Sequence, residues 1–505
     1  MNGTHFSTFI WGESANRRYL IAAVIVSILL FSIFKYFYPF PNLVYDSYYY
    51  LRVAILNWPV HAWPVGYSRF VQAYGFFSHS AQLLVCLQYC MLEFSCLLFF
   101  FSWLYFFQPG RFIVWIVFFL LFANPLLIAC SNFLQSDALF ITLSLFWITQ
   151  LFWLICAPRP YMVITHALIL VAAFTVRYNA LYYPLIGTIA FIINRQAIRW
   201  KVAGVSIPLV LLGWFIYDTG SQIAAVGGKR QFSPFAGWKL ANNVIYAYPY
   251  AQPVKIELVP EEFRSLDSLI RAYFAKYQPD DPHGLVNKDF TYGGYYMFSP
   301  FSPLVVYMHQ QYAWRDGEKF ITSRGWVDVG PLYQEYGEYF VRQYPMAFIR
   351  GYLWPNFSRY CIPTPEIFDD EDPWYLHPQY GDSAIEKWFV LQTPTWSRSR
   401  IELSRSFFRK FPILFFLSHV TFIVGFLAFF LSKGFREIKN SISGCLTLMA
   451  ILWMADFGFS VFASPVNLRY EIVILIVEIA FGLYFIEYTL IRKRPSQEDV
   501  TQNAY

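Results

Sequence analysis

The feature that most constrains this chain is a series of long apolar runs, each near the length that one membrane crossing needs. An α-helix rises about 1.5 Å per residue, so a hydrocarbon core of about 30 Å requires about 20 residues. Hydrophobic residues make up 57% of the 505 residues and charged residues only 14%, which excludes an ordinary soluble globular protein. Ten spans are predicted, near 19–40, 82–107, 111–130, 137–156, 161–176, 179–194, 202–217, 411–432, 442–462 and 470–491.

These runs predict an all-α polytopic membrane protein with about ten transmembrane helices. The spans near 161–176 and 179–194 are short, and a re-entrant pair there would leave the rest of the topology unchanged. No small-residue cleavage site follows a short apolar core at the N-terminus, so the first helix is expected to be retained.

The loops alternate in charge, and every second loop is basic, as the positive-inside rule expects of cytoplasmic loops. This pattern places both termini in the cytoplasm. The seven cysteines, apart from Cys361, lie in or near apolar runs, so no disulfide framework is expected in an external domain. We therefore expect a multi-pass protein of a bacterial inner membrane, with its large insert in the periplasm.

The chain divides into four parts by composition. Residues 1–217 form an N-terminal transmembrane module whose first outer loop is 41–81; residues 218–410 form an external domain of mainly helical character; residues 411–494 hold the last membrane helices; and 495–505 form a cytoplasmic tail. Within the insert, Pro260 precedes a predicted helix, and a second helix is expected to break at Pro345. Asn2 and Asn356 each begin an Asn-x-Ser/Thr pattern.

Five charged residues interrupt the apolar pattern at helix ends that map to the outer face: Asp46, Arg52, Asp137, Arg177 and Arg469. A charged side chain at the bilayer centre costs about 3 kcal/mol on insertion scales, so such residues lie at interfaces, in cavities or in pairs. Any one of them could be only an interfacial anchor or a helix cap. Five of both signs at one face describe a polar cavity that opens outward.

Acids and arginines at the outer leaflet suit a substrate with an anionic head and a lipid tail. Arginine holds phosphate by forked hydrogen bonds, and a carboxylate binds a cation or accepts a proton. A polyprenyl-phosphate sugar has both parts. An acceptor hydroxyl would attack the sugar carbon, a carboxylate such as Asp46 would take the hydroxyl proton, and arginines would stabilise the departing phosphate.

Three sequence elements together resemble the GT-C superfamily of membrane glycosyltransferases. They are an acid just after the first membrane helix (PNLVYDSYYYLR, Asp46), a Pro-x-Gly-Tyr element (Pro64–Tyr67) and an acid at the start of a later helix (SNFLQSDALF, Asp137). The segment SPVNLRYEIVI also resembles the last-helix entrance of these proteins. The family includes protein O-mannosyltransferases, lipid A aminoarabinose transferases and oligosaccharyltransferases. The resemblance implies a GT-C type transmembrane bundle and transfer of a sugar from a lipid-phosphate donor.

The same resemblance assigns roles to individual residues. Asp46 takes the catalytic position and Asp137 the second acidic position. Candidates for holding the lipid phosphate are Arg52, Arg177 and Arg469. Apart from the resemblance, His61, Tyr67, Arg69 and Tyr470 are candidates for other substrate contacts; a hydrogen-bonded structural role is the alternative for His61, as for most lone histidines. In the family the first-loop acid is catalytic or binds a metal.

A metal-independent reaction is expected here, since many relatives carry two adjacent acids where this chain has Asp46 followed by Ser47. A divalent metal on Asp46 and Asp137 is the alternative, although these two acids supply only part of a coordination shell. No cofactor is expected to be required.

The expected partners are a polyprenyl-phosphate sugar donor, membrane lipids and an acceptor that is a glycan, a lipid or a protein; no nucleic acid is expected. Two other classes of function remain open. A transporter or flippase would need polar groups that continue to the inner face, where the spans carry only scattered residues such as Lys35, Glu93, Asp456 and Glu478. A non-catalytic receptor or assembly factor would act through the external domain alone.

Overall fold

The structure is a computed structural model that describes residues 5–227, 229–277, 293–312, 324–365, 383–389, 406 and 408–492. The predicted tail 495–505 and Asn2 lie outside the described residues, as do parts of the insert. The first half of the chain contains α1 Phe6–Gly12, α2 Ser14–Phe37, α3 Tyr45–Ile55, α4 Gly66–Gly75, α5 Ala81–Phe107, α6 Arg111–Phe122, α7 Pro125–Asn132, α8 Asp137–Cys156, α9 Met162–Val176, α10 Tyr183–Ile193 and α11 Ile198–Gly227.

The insert and the C-terminal part are helical as well. They contain α12 Pro234–Ala247, α13 Glu261–Lys276, α14 Tyr295–Phe298, α15 Pro303–Gln311, α16 Arg324–Asp328, α17 Gly330–Gln343, α18 Pro345–Phe348, α19 Trp354–Cys361, α20 Ser383–Trp388, α21 Phe411–Leu431, α22 Gly434–Glu437, α23 Asn440–Ala463 and α24 Ile472–Glu487. Within the described residues, β-pairing is limited to two isolated bridges, Asn42 with Phe133 and Thr364 with Asn467.

Among the described residues, eight helical segments are long and apolar enough to cross a membrane, which confirms a helical protein of the multi-pass membrane type. They are Ser14–Phe37, Ala81–Phe107, Arg111–Asn132, Asp137–Cys156, Ile198–Ala225, Phe411–Leu431, Asn440–Ala463 and Ile472–Leu490. The two short predicted spans correspond to the shorter apolar helices Met162–Val176 and Tyr178–Ile193. The shortness seen in the sequence is therefore a real property of these two helices.

Two membrane helices differ in detail from the predicted runs. The third span is broken between α6 and α7, where Pro125 cannot continue the hydrogen-bond ladder and the Asn124 side chain accepts from the Leu126 N–H at 3.0 Å to cap the new helix. The helix predicted to end at 217 continues to Gly227. The insert therefore leaves the bundle about three turns later than the predicted boundary at 218.

The insert has its own hydrophobic core, built mainly of aromatic side chains from α12 to α18. Trp238 of α12 stacks on Trp326 with ring centroids 5.0 Å apart, and α12 packs along α17. Gly237 permits this approach, because a Cβ at that position would lie 1.9 Å from the carbonyl oxygen of Gly330. As predicted, α13 follows Pro260 and the later helix breaks at Tyr344 before Pro345.

The first outer loop joins the membrane bundle to the insert. Its helices α3 and α4 pack on each other, and Trp63 between them lies 5.3 Å from the Phe235 ring of α12. Tyr49 stacks on the other side of Trp63 at 4.9 Å. This aromatic contact closes one side of a space between the two cores.

Candidate functional site

A cavity of about 680 Å³ lies where the first loop, the insert and the membrane helices meet. Its wall comes from α3, from residues 174–181, from α12, and from the segment Gly458 to Glu471. Small-molecule sites in proteins commonly measure about 300–1,000 Å³. The cavity is therefore large enough for a sugar phosphate.

Two acids and two arginines alternate at this cavity, and we call Asp46, Asp137, Arg177 and Arg469 the charge cluster. Arg469 Nη2 lies 3.3 Å from Asp46 Oδ2, and Nη1 of the same guanidinium lies 3.2 Å from Asp137 Oδ2. Arg177 Nη1 binds the other oxygen of Asp137. One carboxylate is thus shared by two guanidinium groups, and the four formal charges sum to zero.

The four members differ in how far they open to the cavity. The Asp137 side chain is 2% exposed and does not line the cavity, whereas that of Asp46 is 27% exposed and does. Arg177 lines the cavity beside Asp46, and Arg469 lies behind them. Asp46 is therefore the one acid of the cluster that a bound molecule can reach.

Backbone pairing brings the two acids together from separate helices. The Asn42 N–H donates to the Asn132 carbonyl at 2.8 Å, and the Leu134 N–H donates to the Asn42 carbonyl at 3.1 Å. These bonds fix the first loop beside the start of α8, so the first turn of α3 and the first residue of α8 are neighbours. Each acid therefore lies in the first turn of its helix.

The segment that carries Arg469 is held by the insert through Asn356. This buried amide donates from Nδ2 to the Ser464 carbonyl at 2.9 Å and accepts the Val466 N–H on Oδ1 at 2.8 Å. The Asn356 pattern is thus a packing feature in the folded chain, since a glycan on Nδ2 is incompatible with these contacts.

Tyr470 connects the two arginines of the cluster. Its ring centroid lies 4.5 Å from Arg177 Cζ and 4.9 Å from Arg469 Cζ, and its hydroxyl accepts from Arg469 Nη2 at 3.0 Å. A cation over an aromatic face gains about 0.5–2 kcal/mol, more when water is excluded. Tyr470, predicted to contact substrate, lines the cavity and orients both guanidinium groups.

Tyr50 also lines the cavity and was not among the predicted site residues. Its hydroxyl lies 3.1 Å from Ser136 Oγ, and burial, reinforced by the negative charge of Asp46, raises its pKa above the usual value. The phenol therefore keeps its proton at physiological pH. The signal in the sequence was its spacing of four residues from Asp46, which puts both on one face of α3.

Two predicted arginines do not line this cavity. Arg52 lies with Cζ 5.6 Å over the Trp58 ring, and Arg69 donates to Asn57 Oδ1 at 2.6 Å and to the Trp58 carbonyl at 2.8 Å. Arg52 follows Asp46 by six residues, which rotates it about 120° around the helix axis. The structure therefore places Arg52 outside the charge cluster and Arg69 in a structural contact of the first loop, so neither predicted role has support from the cavity.

His61 and Tyr67 likewise do not line the cavity. Tyr67 is buried and donates its hydroxyl to Gln88 Oε1 at 2.7 Å. His61 stacks on Trp63, and its Nδ1 accepts the Trp63 N–H at 3.4 Å. Burial, together with the positive charge of Arg52, lowers the pKa of His61 to about 3. Both residues hold the first loop in shape.

The glycine of the Pro-x-Gly-Tyr element, Gly66, lies very close to the backbone at the end of α9. A Cβ at Gly66 would lie 2.5 Å from the carbonyl carbon and oxygen of Thr175, at the end of α9. Thr175 is two residues before Arg177. The element thus packs the start of α4 against the chain that positions one arginine of the charge cluster.

Sequence reasoning missed the cavity residues of the insert and of the last loop. Lys239 and Asn243 of α12, Gln334 of α17 and Glu471 next to Tyr470 all line the cavity. Lys239 and Asn243 are four residues apart on α12, a spacing that indicates a shared face but not what that face meets. Only the tertiary arrangement identifies them.

A divalent metal does not fit the two predicted ligands. The guanidinium of Arg469 bonds to both Asp46 and Asp137 and so occupies the position between them. Within the described ranges no group of three or more His, Cys, Asp or Glu side chains is arranged to hold a metal ion. Divalent sites need several oxygen ligands, and these residues do not provide them.

Comparisons with known proteins add no relative. A scan against protein-family models and searches of curated proteins and of solved structures found no match to this chain. The function is therefore argued from the cavity and its residues.

Proposed function

We propose that the protein is a glycosyltransferase that moves a sugar from a polyprenyl-phosphate donor to an acceptor in this cavity. The observation that supports this most directly is the accessible carboxylate of Asp46 in the cavity wall, with Arg177 lining the cavity beside it and Arg469 paired to it from behind. Arginine matches phosphate geometry with two parallel hydrogen bonds, and a carboxylate can accept the proton of an attacking hydroxyl.

The rim of the cavity supports a donor with a lipid tail. Leu181 and Phe462 line the cavity and are 58% and 50% exposed, and a Cβ at Gly458 would meet nothing within 4 Å. These residues lie beside α10 and on α23, two apolar helices of the bundle. An apolar, open rim between membrane helices allows a polyprenyl chain to stay in the bilayer while its phosphate enters.

The proposed step is a single displacement at the sugar carbon. The acceptor oxygen forms a bond to that carbon and passes its proton to Asp46, while the bond from carbon to the phosphate oxygen breaks and the phosphate leaves with the electron pair. Arg177 and Arg469 neutralise the charge that develops on the phosphate. As the phosphate draws Arg469 toward itself, Asp46 loses part of its counter-charge and becomes a stronger base.

Asp137 serves in this proposal as a positioning residue, since it binds both arginines and does not line the cavity. The acceptor would bind near the cavity-lining residues of the insert, Lys239, Asn243 and Gln334. It is a glycan, a lipid or a protein. The two helices α3 and α4 of the first loop also agree with the GT-C resemblance, in which this loop forms juxtamembrane helices over the active site.

A transporter or flippase is the second candidate, because buried polar groups continue inward from the cavity. Asp456 accepts from the Tyr182 hydroxyl at 2.8 Å, and deeper in the bundle Glu478 binds His419 at 2.5 Å. Glu478 also accepts from Ser418 and Trp453. These partners enclose Glu478 in protein hydrogen bonds, so the enzyme is the better supported function.

The test uses the purified full-length chain in lipid vesicles with a panel of radiolabelled polyprenyl-phosphate sugars and an acceptor extract from the native membrane. Wild-type protein should transfer label to the acceptor, and Asp46→Asn should not. If both proteins move the intact lipid-linked sugar across the bilayer equally well and neither transfers it, the protein is a flippase. Mass spectrometry of surface glycans from a deletion strain identifies the acceptor.

A further inference from the structure

We propose that Glu471 and Asp456 share one proton at the wall of the cavity, and that the phosphate of the donor binds only while this proton is present. The identity of the anion rests on the function proposed above. The shared proton itself rests on the geometry of the two carboxyl groups.

Glu471 is in an unusual position for an acid. It is 1% exposed, lines the cavity, and precedes α24 without a side-chain hydrogen bond to the helix N-terminus. Its two carboxylate oxygens are buried, and the groups that face them among the described residues are the Ser460 hydroxyl and the carboxyl group of Asp456. Two ionised carboxylates offer each other no donor, so these two bond only when one of them holds a proton.

The surroundings of the pair favour the protonated form. The titratable and charged groups that face it come from every neighbouring element: the acid Glu478 on α24, and the phenols Tyr182 before α10 and Tyr360 on α19. Both phenols donate to Asp456 and so favour its ionised form, which leaves the shared proton on Glu471. His419 on α21 is engaged with Glu478, and the guanidinium of Arg469 is engaged with Asp46, Asp137 and Gln135. Burial, together with the negative charge of Asp456, raises the pKa of Glu471 well above its usual value.

A consequence for binding follows from the sign of the charge. With the proton in place, Glu471 adds no negative charge to the cavity wall. Loss of the proton adds a negative charge to the same wall that must accept a phosphate. Donor affinity should therefore fall as pH rises through the pKa of Glu471.

The test measures the affinity of the full chain for polyprenyl phosphate without a sugar, so that binding is observed without turnover. The protein is in detergent micelles, and the pH is varied from mildly acidic to alkaline. The affinity of the wild-type protein for polyprenyl phosphate should fall at least about tenfold at alkaline pH, because ionised Glu471 then repels the phosphate. Glu471→Gln should bind equally at all pH values. Asp456→Asn removes the neighbouring charge and should move the midpoint to lower pH. Glu338→Gln, on the exposed face of α17, is the control and should behave as wild type.

Infrared spectroscopy separates this inference from the proposed function. Wild-type protein at neutral pH should show a carboxylic-acid C=O band that is lost in Glu471→Gln or shifts in Asp456→Asn. Absence of that band overturns the shared proton whatever the protein transfers. A band that is present, with no transferase activity on any donor, contradicts only the glycosyltransferase. Wild-type affinity that does not change with pH overturns the link between the proton and the phosphate.

Discussion

Arg469 Nη2 and Asp46 Oδ2 lie 3.3 Å apart although 423 positions separate the two residues in the chain. This contact joins the entrance of the last membrane helix to the first external helix. It also joins the proposed base to one of the proposed phosphate ligands. The charge cluster and the segments that hold it can be tested by single substitutions.

Asp46→Asn should lower the transfer rate by at least about a hundredfold, because general base catalysis commonly contributes a factor of about 10²–10⁴. The amide keeps the shape of the side chain, so the melting temperature should change little. Asp218→Asn, an acid that does not line the cavity, is the matched control. Equal rates for wild type and Asp46→Asn in a radiolabel transfer assay would contradict the assignment.

Arg177→Ala should destabilise the fold, because it leaves the buried carboxylate of Asp137 with one cationic partner instead of two. Removing one partner from a buried ion pair costs about 3–5 kcal/mol, and the remaining Arg469 should reduce this loss. The loss of stability in the double variant Arg177→Ala with Asp137→Asn should be smaller than the sum of the losses in the two single variants. A thermal unfolding cycle measures the coupling, and strict additivity would contradict a direct pair.

Gly458→Trp should block the apolar rim and reduce transfer from a long-chain donor far more than from a short-chain donor. The physical reason is that an indole would fill the open space at this position, while the charge cluster is unchanged. Met454→Trp, one turn away on the same helix and exposed outside the cavity, should affect neither donor. Equal loss with both donors would place the lipid elsewhere.

Gly66→Ala should lower the melting temperature and the transfer rate together. The new methyl group would lie 2.5 Å from the Thr175 backbone, and such overpacking costs roughly 1–3 kcal/mol. Gly213→Ala is the control, since a Cβ there meets nothing within 4 Å. This second change should be neutral or slightly stabilising, because alanine has the higher helix propensity.

His61 should make stability depend on pH in the acidic range. Its pKa falls from 6.5 to about 3 on folding, so between these values the unfolded chain binds a proton that the folded chain does not. Stability is therefore lost as pH falls from 6.5 toward 3, by up to about 1.4 kcal/mol per pH unit. Melting temperatures of wild type and His61→Phe should diverge in this window and run parallel above it.

The membrane helices and several helix ends could be predicted from sequence for physical reasons that need no tertiary information. Apolar length identifies a span, and Pro260 and Pro345 set local boundaries because proline lacks the N–H that a helix interior uses. Asp46, Asp137, Arg177 and Arg469 could be selected as a group because charges at apolar helix ends need partners. How these four charges pair could not be predicted.

Whether the remaining residues belong to the site depends on which face of a helix they occupy and on packing between distant segments of the chain. Arg52 carries the same charge as Arg177, yet its place on α3 turns it away from Asp46, and helical phase alone could have shown this. Lys239 and Glu471 lie in segments whose residue types do not indicate what they face. These two residues become part of the cavity wall only because α12 and the loop before α24 pack close to the first loop.

Asn356 has a consequence for how the protein is made. It binds backbone groups of residues 461–466, and the Leu468 N–H donates to the Thr364 carbonyl, so the insert docks on chain synthesised about a hundred residues later. A nascent chain that stops before the last two membrane helices has neither this docking strip nor Arg469. Its first loop can already pair with Asn132 and Leu134, but Asp46 lacks the Arg469 guanidinium until the last membrane helices are made.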